Sequence, residues 1–443
     1  MEKLKEGSSE QFPDSSGYKP PQPASIEETG LDLGLIVDLV IKVIYFKRYI
    51  SGSEIAQAVR LPFSDIVERA LEFLRREQFC EVKGSKNFGE SSYQYGITSK
   101  GGEKAREVLA SCGYAGPAPV SLNAYCKAVL AQSLSKEVIP ADKLRQALAH
   151  MVLSEEILGE IGPAVNSARS IFLFGHTGNG KTMIAEAISK MFEDNIYIPY
   201  AVEVDNQIIK VFDYVNHEPV YANGEDNRAG MEPRRNNSYD RRWVAVKRPF
   251  IITGGELTLM SLNLIYHDHL KYYEAPFQMK AGGGIFVIDD FGRQQEHPRL
   301  FLNRWIIPME KRVDYLSLRT GKKIEVPFET LVIFSTNLNP KELVEEAFLR
   351  RIRHKIKVED PSPDEYRRIF KEICRIKGIV FEESALTHIY QEYYLKHNLS
   401  ARSCHPRDIV EQLMDIARYL NITPNLNIQL LKKACDAYFS GLI

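Results

Sequence analysis

The sequence predicts an α/β protein. A parallel sheet flanked by helices is preceded by a small helical domain with a two-stranded wing and followed by a helical C-terminal unit. Three observations carry this prediction. Residues 170–358 alternate short apolar runs with helical segments, the pattern of parallel strands joined by crossover helices. One of these runs, Ser170–Phe174, leads into a glycine-rich loop and then a helix with Met183, Ile184, Ala187, Ile188 and Met191 on one face. After "VEDPSPDEY" the pattern is helical to the end.

The chain has 443 residues, enough for about two or three domains. A formal net charge of -1 gives no global bias toward nucleic acid or an anionic membrane surface. No apolar run is long enough to span a bilayer, and the N-terminus lacks the apolar core of a signal peptide, so no membrane insertion and a cytoplasmic location are expected. Cys80, Cys112, Cys126, Cys374, Cys404 and Cys435 are scattered without a C-x-x-C pair, which disfavours a disulfide framework and a thiolate zinc site.

Taken in order, residues 1–24 are rich in Ser, Pro, Gly and Glu and read as a disordered tail. Residues 25–112 follow as a small domain. Leu31 to Phe46 reads as a buried helix, and Ser53 is expected to N-cap "SEIAQAV". Ser64 is expected to N-cap "SDIVERALEFLRREQF", with Ile66, Val67, Ala70, Leu71 and Leu74 on one face. "FCEVKG" and "SYQYGIT" read as paired strands, and a helix near "SKGGEKAREVLA" closes the unit. The succession resembles a winged helix-turn-helix domain over residues 28–112. Residues 113–144 form a linker, "CGYAGPAPVSL", and the start of a helical stretch running from Leu122 to about Leu158. Residues 145–360 form the α/β core. Residues 361–443 are helical, opened by a capping box of Ser362 and Glu365 with Pro363 at the first helical position.

The chemistry begins after Phe174. Gly175, His176, Thr177, Gly178, Asn179, Gly180, Lys181 and Thr182 match G-x-x-x-x-G-K-[ST] in full, in the strand–loop–helix context that gives the pattern meaning. Glycines let the backbone curl so that N–H groups converge on phosphate oxygens at a helix N-terminus. Lys181 supplies a cation to the β- and γ-phosphates, and the Thr182 hydroxyl can ligate Mg²⁺. Such a loop needs an acid at the end of a second strand to hold the ion, and "GIFVIDD" offers Asp289 for that task. Asp290 falls where many phosphate-loop ATPases carry a glutamate that orients water. Aspartate is one methylene shorter, so its competence as a base is left open.

These motifs together resemble an AAA+ ATPase over roughly residues 145–440. "ETLVIFSTN" resembles the strand of the family's first sensor, which implies that Asn337 contacts the γ-phosphate or the water; a strand-end cap is the alternative. "EEAFLRRIRHKI" resembles the arginine-finger segment, so Arg350 or Arg351 would reach a neighbouring subunit's nucleotide; a solvated charged face is the alternative. "SCHPRDIVEQL" resembles the opening of the family's lid helix, placing Arg407 as a second sensor rather than a plain surface residue. The resemblance implies ATP and Mg²⁺ as ligands and a homo-oligomeric ring, by family habit a hexamer.

"YYEAPFQMKAGGGIFVIDDF" and a hairpin at Thr320-Gly321 resemble the clade with an insertion in its second helix, which includes MoxR-type chaperones and bacterial enhancer-binding activators. The activators' Gly-Ala-Phe-Thr-Gly-Ala loop is absent. Within Asn195–Gly254, "AVEVDNQIIKVFD" suggests a hairpin around Asp205-Asn206. A polar stretch there carries Arg234, Arg235, Arg241 and Arg242, read as a solvated loop ahead of a phosphate or partner contact. Tyr272 and Tyr273 are either buried aromatics or grips for a substrate in a central pore. His267 and His269 are too close together for a metal site without further ligands.

The helix Ser64–Gln78 balances Asp65, Glu68, Glu72 and Glu77 against Arg69, Arg75 and Arg76, and the wing sets Lys83 and Lys86 against Glu81 and Glu90. That is not the basic footprint of a DNA reader, so a protein client is favoured over DNA for this domain. The expectation is a ring ATPase that remodels a partner. An ATP-controlled DNA-binding regulator with little turnover is the second reading, and a structural ring that binds nucleotide without hydrolysis is a third.

Overall fold

The computed structural model describes residues 17–85, 89–220, 239–343 and 349–441. The N-terminal unit is built on the helix Leu33–Lys47, which buries Ile36, Val40, Ile41 and Ile44. Strands β1 (Tyr49–Ser51), β2 (Cys80–Ser85) and β3 (Tyr93–Ile97) form an antiparallel sheet in the order β1-β3-β2. Two caps differ from expectation. The second helix, Gly52–Val59, is capped by Ser51, not Ser53: the Ser51 hydroxyl accepts from the Glu54 N–H, and the Glu54 carboxylate accepts from the Ser51 N–H. The spacing that matters is Ser51 to Glu54, the reciprocal box. The third helix begins at Glu68 rather than beside Ser64, because Ser64 is extended and Asp65 is left-handed at φ 64°. The closing helix Ser99–Ser111 is capped by the Thr98 hydroxyl, which accepts from the Gly101 N–H.

The stretch expected to be a linker is packed. Tyr114, Ala118 and Val120 are buried. The Gly113 N–H donates to the Leu270 carbonyl at 2.7 Å, and the Ala118 N–H donates to the Val59 carbonyl at 2.7 Å. Val120–Ser121 (β4) lies parallel to residues 202–203. The buried Lys42 ammonium donates to the Tyr114 carbonyl, and the buried Arg242 guanidinium donates to the carbonyls of Thr29 and Pro119. A Gly/Pro-rich stretch is irregular without being loose when its backbone groups find partners in the elements on either side. Beyond it, the expected single helical stretch is three helices, Leu122–Ala131, Ala141–Leu148 and Glu155–Asn166. Pro140, which has no N–H to donate, caps the second.

The remaining strands are β5 (Ser170–Phe174), β6 (Asn195–Pro199), β7 (Ala201–Val204), β8 (Gln207–Lys210), β9 (Trp243–Lys247), β10 (Phe250–Thr253), β11 (Ile265–His267), β12 (Tyr272–Glu274), β13 (Ile285–Ile288), β14 (Val313–Ser317), β15 (Lys323–Pro327), β16 (Leu331–Thr336) and β17 (His354–Lys357). The central sheet has five parallel strands in the order β10-β13-β16-β5-β17. On one face Ile171, Leu173, Val287, Leu331 and Ile333 pack against Ile184, Ala187 and Ile188 of the helix Lys181–Ser189. On the other, Phe172, Phe286, Ile288 and Phe334 pack against Phe301, Leu302 and Trp305 of the helix Pro298–Lys311. Both faces are covered, which is why the strands are apolar without alternation.

A second five-stranded sheet, β11-β12-β8-β7-β4, mixes parallel and antiparallel pairs and was not anticipated as a unit. Its β7–β8 hairpin turns at Asp205 and Asn206, both at positive φ, as the dipeptide suggested. Tyr273 is buried in this layer and its hydroxyl accepts from the Arg319 N–H at 2.8 Å, while Tyr272 meets Tyr114 edge-on. Both are structural aromatics here, not free grips. The β14–β15 hairpin turns through Gly321 at φ 85°. The C-terminal unit is formed by Pro363–Lys377, Glu383–Ile389 with its continuation to Leu395, His405–Tyr419 and Ile428–Phe439, around Tyr366, Phe370, Leu413 and Leu431. The Ser362–Glu365 capping box is present.

Candidate functional site

The loop Gly175–Thr182 leaves the C-terminal end of β5 and enters the helix Lys181–Ser189. Gly175, Gly178 and Gly180 all have positive φ, at 142°, 89° and 83°. At Gly175 a Cβ would overlap the Val358 carbonyl oxygen, and at Gly178 it would overlap the Cys404 sulfur. These glycines therefore serve close packing as well as curvature. The Lys181 ammonium donates to the carbonyls of Gly175 and His176, both at 2.9 Å. Burial lowers the Lys181 pKa, opposed by the nearby charges of Asp289 and Asp290.

Asp289 follows β13. Its N–H donates to the Thr253 carbonyl, continuing the ladder past the strand end and fixing the residue. The Thr182 hydroxyl donates to one Asp289 carboxylate oxygen at 2.8 Å, and the Asp290 N–H donates to the other at 3.0 Å. Asp290 is exposed and left-handed at φ 47°. The buried Gln294 braces this turn: its amide nitrogen lies 3.2–3.4 Å from the carbonyls of Gly254, Asp289 and Asp290, and its oxygen accepts from the Gly292 N–H at 2.9 Å. Gln294 was not identified from sequence, and no motif marks it. The Asn337 amide donates to the Thr177 hydroxyl at 3.0 Å, while its carbonyl oxygen is buried without a protein partner.

A cavity of about 430 Å³ opens over the loop. Its polar lining includes Thr177–Thr182, Asp289, Asp290, Glu372 and Arg407, and its apolar lining includes Met151, Leu153, Ile369, Ile373 and Ile376. A cavity with apolar lining beside a glycine-rich loop has the size and polarity that a nucleotide requires. The donor set fits a hydrated Mg²⁺ as well: a hydroxyl, a carboxylate held by two hydrogen bonds, and an orphaned buried Ser335 hydroxyl border one space.

The C-terminal unit touches the loop directly. The Asn179 side chain accepts from the Ser403 N–H at 3.3 Å and donates to Asp360 at 2.7 Å. His176 shares a hydrogen bond with the same carboxylate at 2.9 Å. Burial raises the Asp360 pKa, but the hydrogen bonds from Asn179 and His176 outweigh it and hold the group below the ordinary range. The motif marks His176 and Asn179 as loop residues, but nothing in it signals their shared linkage to Asp360. Arg407 lines the cavity and pairs with Asp408 at 3.0 Å. Arg350 is exposed, and Arg351 is paired with Glu310 of its own chain at 2.6 Å; neither borders this cavity. Arg242 is an internal group paired with Asp240, so it makes no surface contact. Arg234, Arg235 and Lys86 lie outside the described residues.

The fold and site thus define an α/β protein with a glycine-rich loop facing a strand-end carboxylate. Residues 362–437 match the family described as Domain of unknown function (DUF8689). No curated protein matches the chain. Among similar solved structures are RuvB of Thermotoga maritima, titled a Holliday junction branch migration motor, and NtrX from Brucella abortus. RuvB has 13% identity, 69% of this chain and 72% of that chain covered, and a TM-score of 0.33. NtrX has 13% identity, coverage of 72% and 64%, and a TM-score of 0.36. The FIGL-1 AAA domain in complex with ADP has 13% identity, coverage of 68% and 82%, and a TM-score of 0.33. At this identity and TM-score the likeness says nothing of substrate or partner.

Proposed function

We propose that the chain is a Mg²⁺-dependent ATPase of AAA+ type, acting in a homo-oligomeric ring to remodel a protein partner recruited by its N-terminal domain. The observation that carries the reading is the meeting of Thr182 and Asp289 at the mouth of the glycine loop, within reach of Lys181's charge. In this reading the loop amides and Lys181 hold the β- and γ-phosphates of ATP, and the apolar slot between Leu153 and Ile373 takes the base. Thr182 and Asp289 would hold Mg²⁺, which supplies charge neutralisation on the phosphates when bound. Asp290 orients the attacking water. Asn337 and Arg407 contact the γ-phosphate, and an arginine from the segment of Arg350 and Arg351 completes a neighbour's site. For Arg351 that requires release from Glu310.

The working division is a winged-helix-like unit at 25–112, an ATPase core at 145–360 and a lid at 361–443. The Asn179–Ser403 contact supports a lid that senses the loop. A cytoplasmic location and a hexamer belong to the same proposal. Phosphate release with and without Mg²⁺ tests it: Lys181→Ala and Asp289→Asn should abolish turnover, and wild-type rates in both variants would refute it.

The alternative, an ATP-controlled DNA-binding regulator with little turnover, is favoured by one observation, a helix–helix–helix–wing arrangement in residues 33–111. A salt-dependent gel shift of the full chain with duplex DNA tests it. Absence of a shift, together with partner-stimulated hydrolysis, excludes it.

A further inference from the structure

The one buried hydroxyl bordering the nucleotide cavity that finds no partner among the described residues is that of Ser335. Ser335 is 1% exposed, near the end of β16, between the strand of the phosphate loop and the strand of Asp289. Its register places it beside Leu173 of β5, and one step beyond the Phe334–Ile288 pair opposite Asp289. Strand side chains alternate between faces. Leu331 and Ile333 pack on the side of the helix Lys181–Ser189, with Leu173 and Val287; Phe334 packs on the opposite side. Ser335 therefore shares a face with Asp289 and with the helix that carries Thr182.

The apolar residues of this face make a serine at position 335 costly. An alanine would lose nothing that the protein itself provides, because the hydroxyl bonds to no protein group. The hydroxyl is paired only by something that enters the cavity. Both Asp289 carboxylate oxygens already accept a hydrogen bond, from Thr182 and from the Asp290 N–H, and each keeps further acceptor capacity.

We propose that Ser335 is a third protein group of the metal site: its hydroxyl holds a water of the hydrated divalent cation whose other protein contacts are Thr182 and Asp289. Mg²⁺ retains several waters when bound with nucleotide, and such waters need fixed polar partners. The inference rests on the reading of the site as a Mg²⁺–nucleotide site. It assigns Ser335 a positioning role, while nucleotide contact is left to the loop.

The test uses the full chain and a fluorescent ADP, with binding measured in EDTA and across a Mg²⁺ titration. Ser335→Ala is expected to keep the wild-type ADP affinity in EDTA and to raise half-saturating Mg²⁺ about tenfold. Its thermal midpoint without ligand should be no lower than that of the wild type. An unchanged Mg²⁺ half-saturation overturns the proposal, as does an equal loss of ADP affinity in EDTA, which would mark a merely structural residue. If the wild type itself binds no ADP, or binds it with no response to Mg²⁺, the functional reading fails and the proposal with it. Failure confined to Ser335→Ala leaves that reading intact.

Discussion

The Thr182 hydroxyl donates to Asp289 at 2.8 Å across 107 residues of sequence, joining the first turn of the loop helix to the end of β13. In the proposed reading the same hydroxyl and carboxylate hold the metal, and this bond would preorganise its site. Thr182→Ala is expected to reduce ATP turnover at saturating nucleotide by about a hundredfold or more while leaving ADP affinity in EDTA unchanged. Single-turnover phosphate release and fluorescent-nucleotide titration measure the two effects.

Asp290 sits at φ 47°, a backbone region that aspartate tolerates better than glutamate. This gives a conformational reason for the shorter acid. Asp290→Asn keeps the backbone and removes the base, so hydrolysis should fall about a hundredfold or more with ATP binding intact. Asp290→Glu should destabilise the protein by about 1 kcal/mol, read from urea midpoints. A glutamate variant as stable as wild type would show that the left-handed turn does not select the residue.

Gly178 lies against Cys404 with no room for a Cβ, and its φ of 89° is itself unfavourable for alanine. Gly178→Ala should push the C-terminal unit off the loop and weaken nucleotide binding about tenfold or more. The matched change Cys404→Ala in the same background should recover part of that loss, although the backbone strain remains. Calorimetric titration of the single and double variants decides this.

His405 is buried in the C-terminal unit, where its ring nitrogen bonds to the Tyr394 hydroxyl at 2.8 Å. Burial, helped by the charge of Arg402, lowers its pKa from 6.5 to about 4. The folded state therefore binds this proton less readily than the unfolded chain. The stabilising contribution is complete above about pH 6.5 and is lost as pH falls from there through about 4. Between pH 7 and pH 5 the loss is roughly 2 kcal/mol. Urea denaturation followed by the tyrosine signal should show it, and His405→Phe should flatten the dependence over that window. His217, also buried and shifted down, acts in the same direction on its own layer.

Arg242 and Asp240 are an ion pair at 2.8 Å with both side chains under 5% exposed. The guanidinium also bonds to Thr29 of the N-terminal unit and to Pro119 of the packed seam that follows it. Arg242→Ala leaves a buried aspartate uncompensated and should cost about 3–5 kcal/mol. Limited proteolysis should then release the N-terminal unit near residues 112–122. Retained resistance would show that the staple is dispensable.

Local chemistry made parts of this protein legible. Ser170–Phe174 could be read as a strand because a short apolar run precedes a glycine-rich loop and a helix. Asp205-Asn206, Thr320-Gly321 and the Ser362–Glu365 box were legible because a turn or cap is decided by residues within a few positions of one another. The same locality misplaced two caps by a few positions, since Ser51, Ser53 and Ser64 are all chemically suitable. Only the end of β1 and the left-handed Asp65 select among them.

The order of the elements, the glycine-rich loop and the strand-end acid opposite it were all legible in the chain, because each depends on short-range spacing and residue type. Long-range packing, by contrast, makes the expected linker a packed seam, draws β4 into a mixed sheet and brings Asn179 to both Asp360 and Ser403. It alone made Gln294 a brace and left Ser335 without a partner. Burial and hydrogen-bond satisfaction are properties of a residue's surroundings, and those surroundings come from segments far apart in the chain.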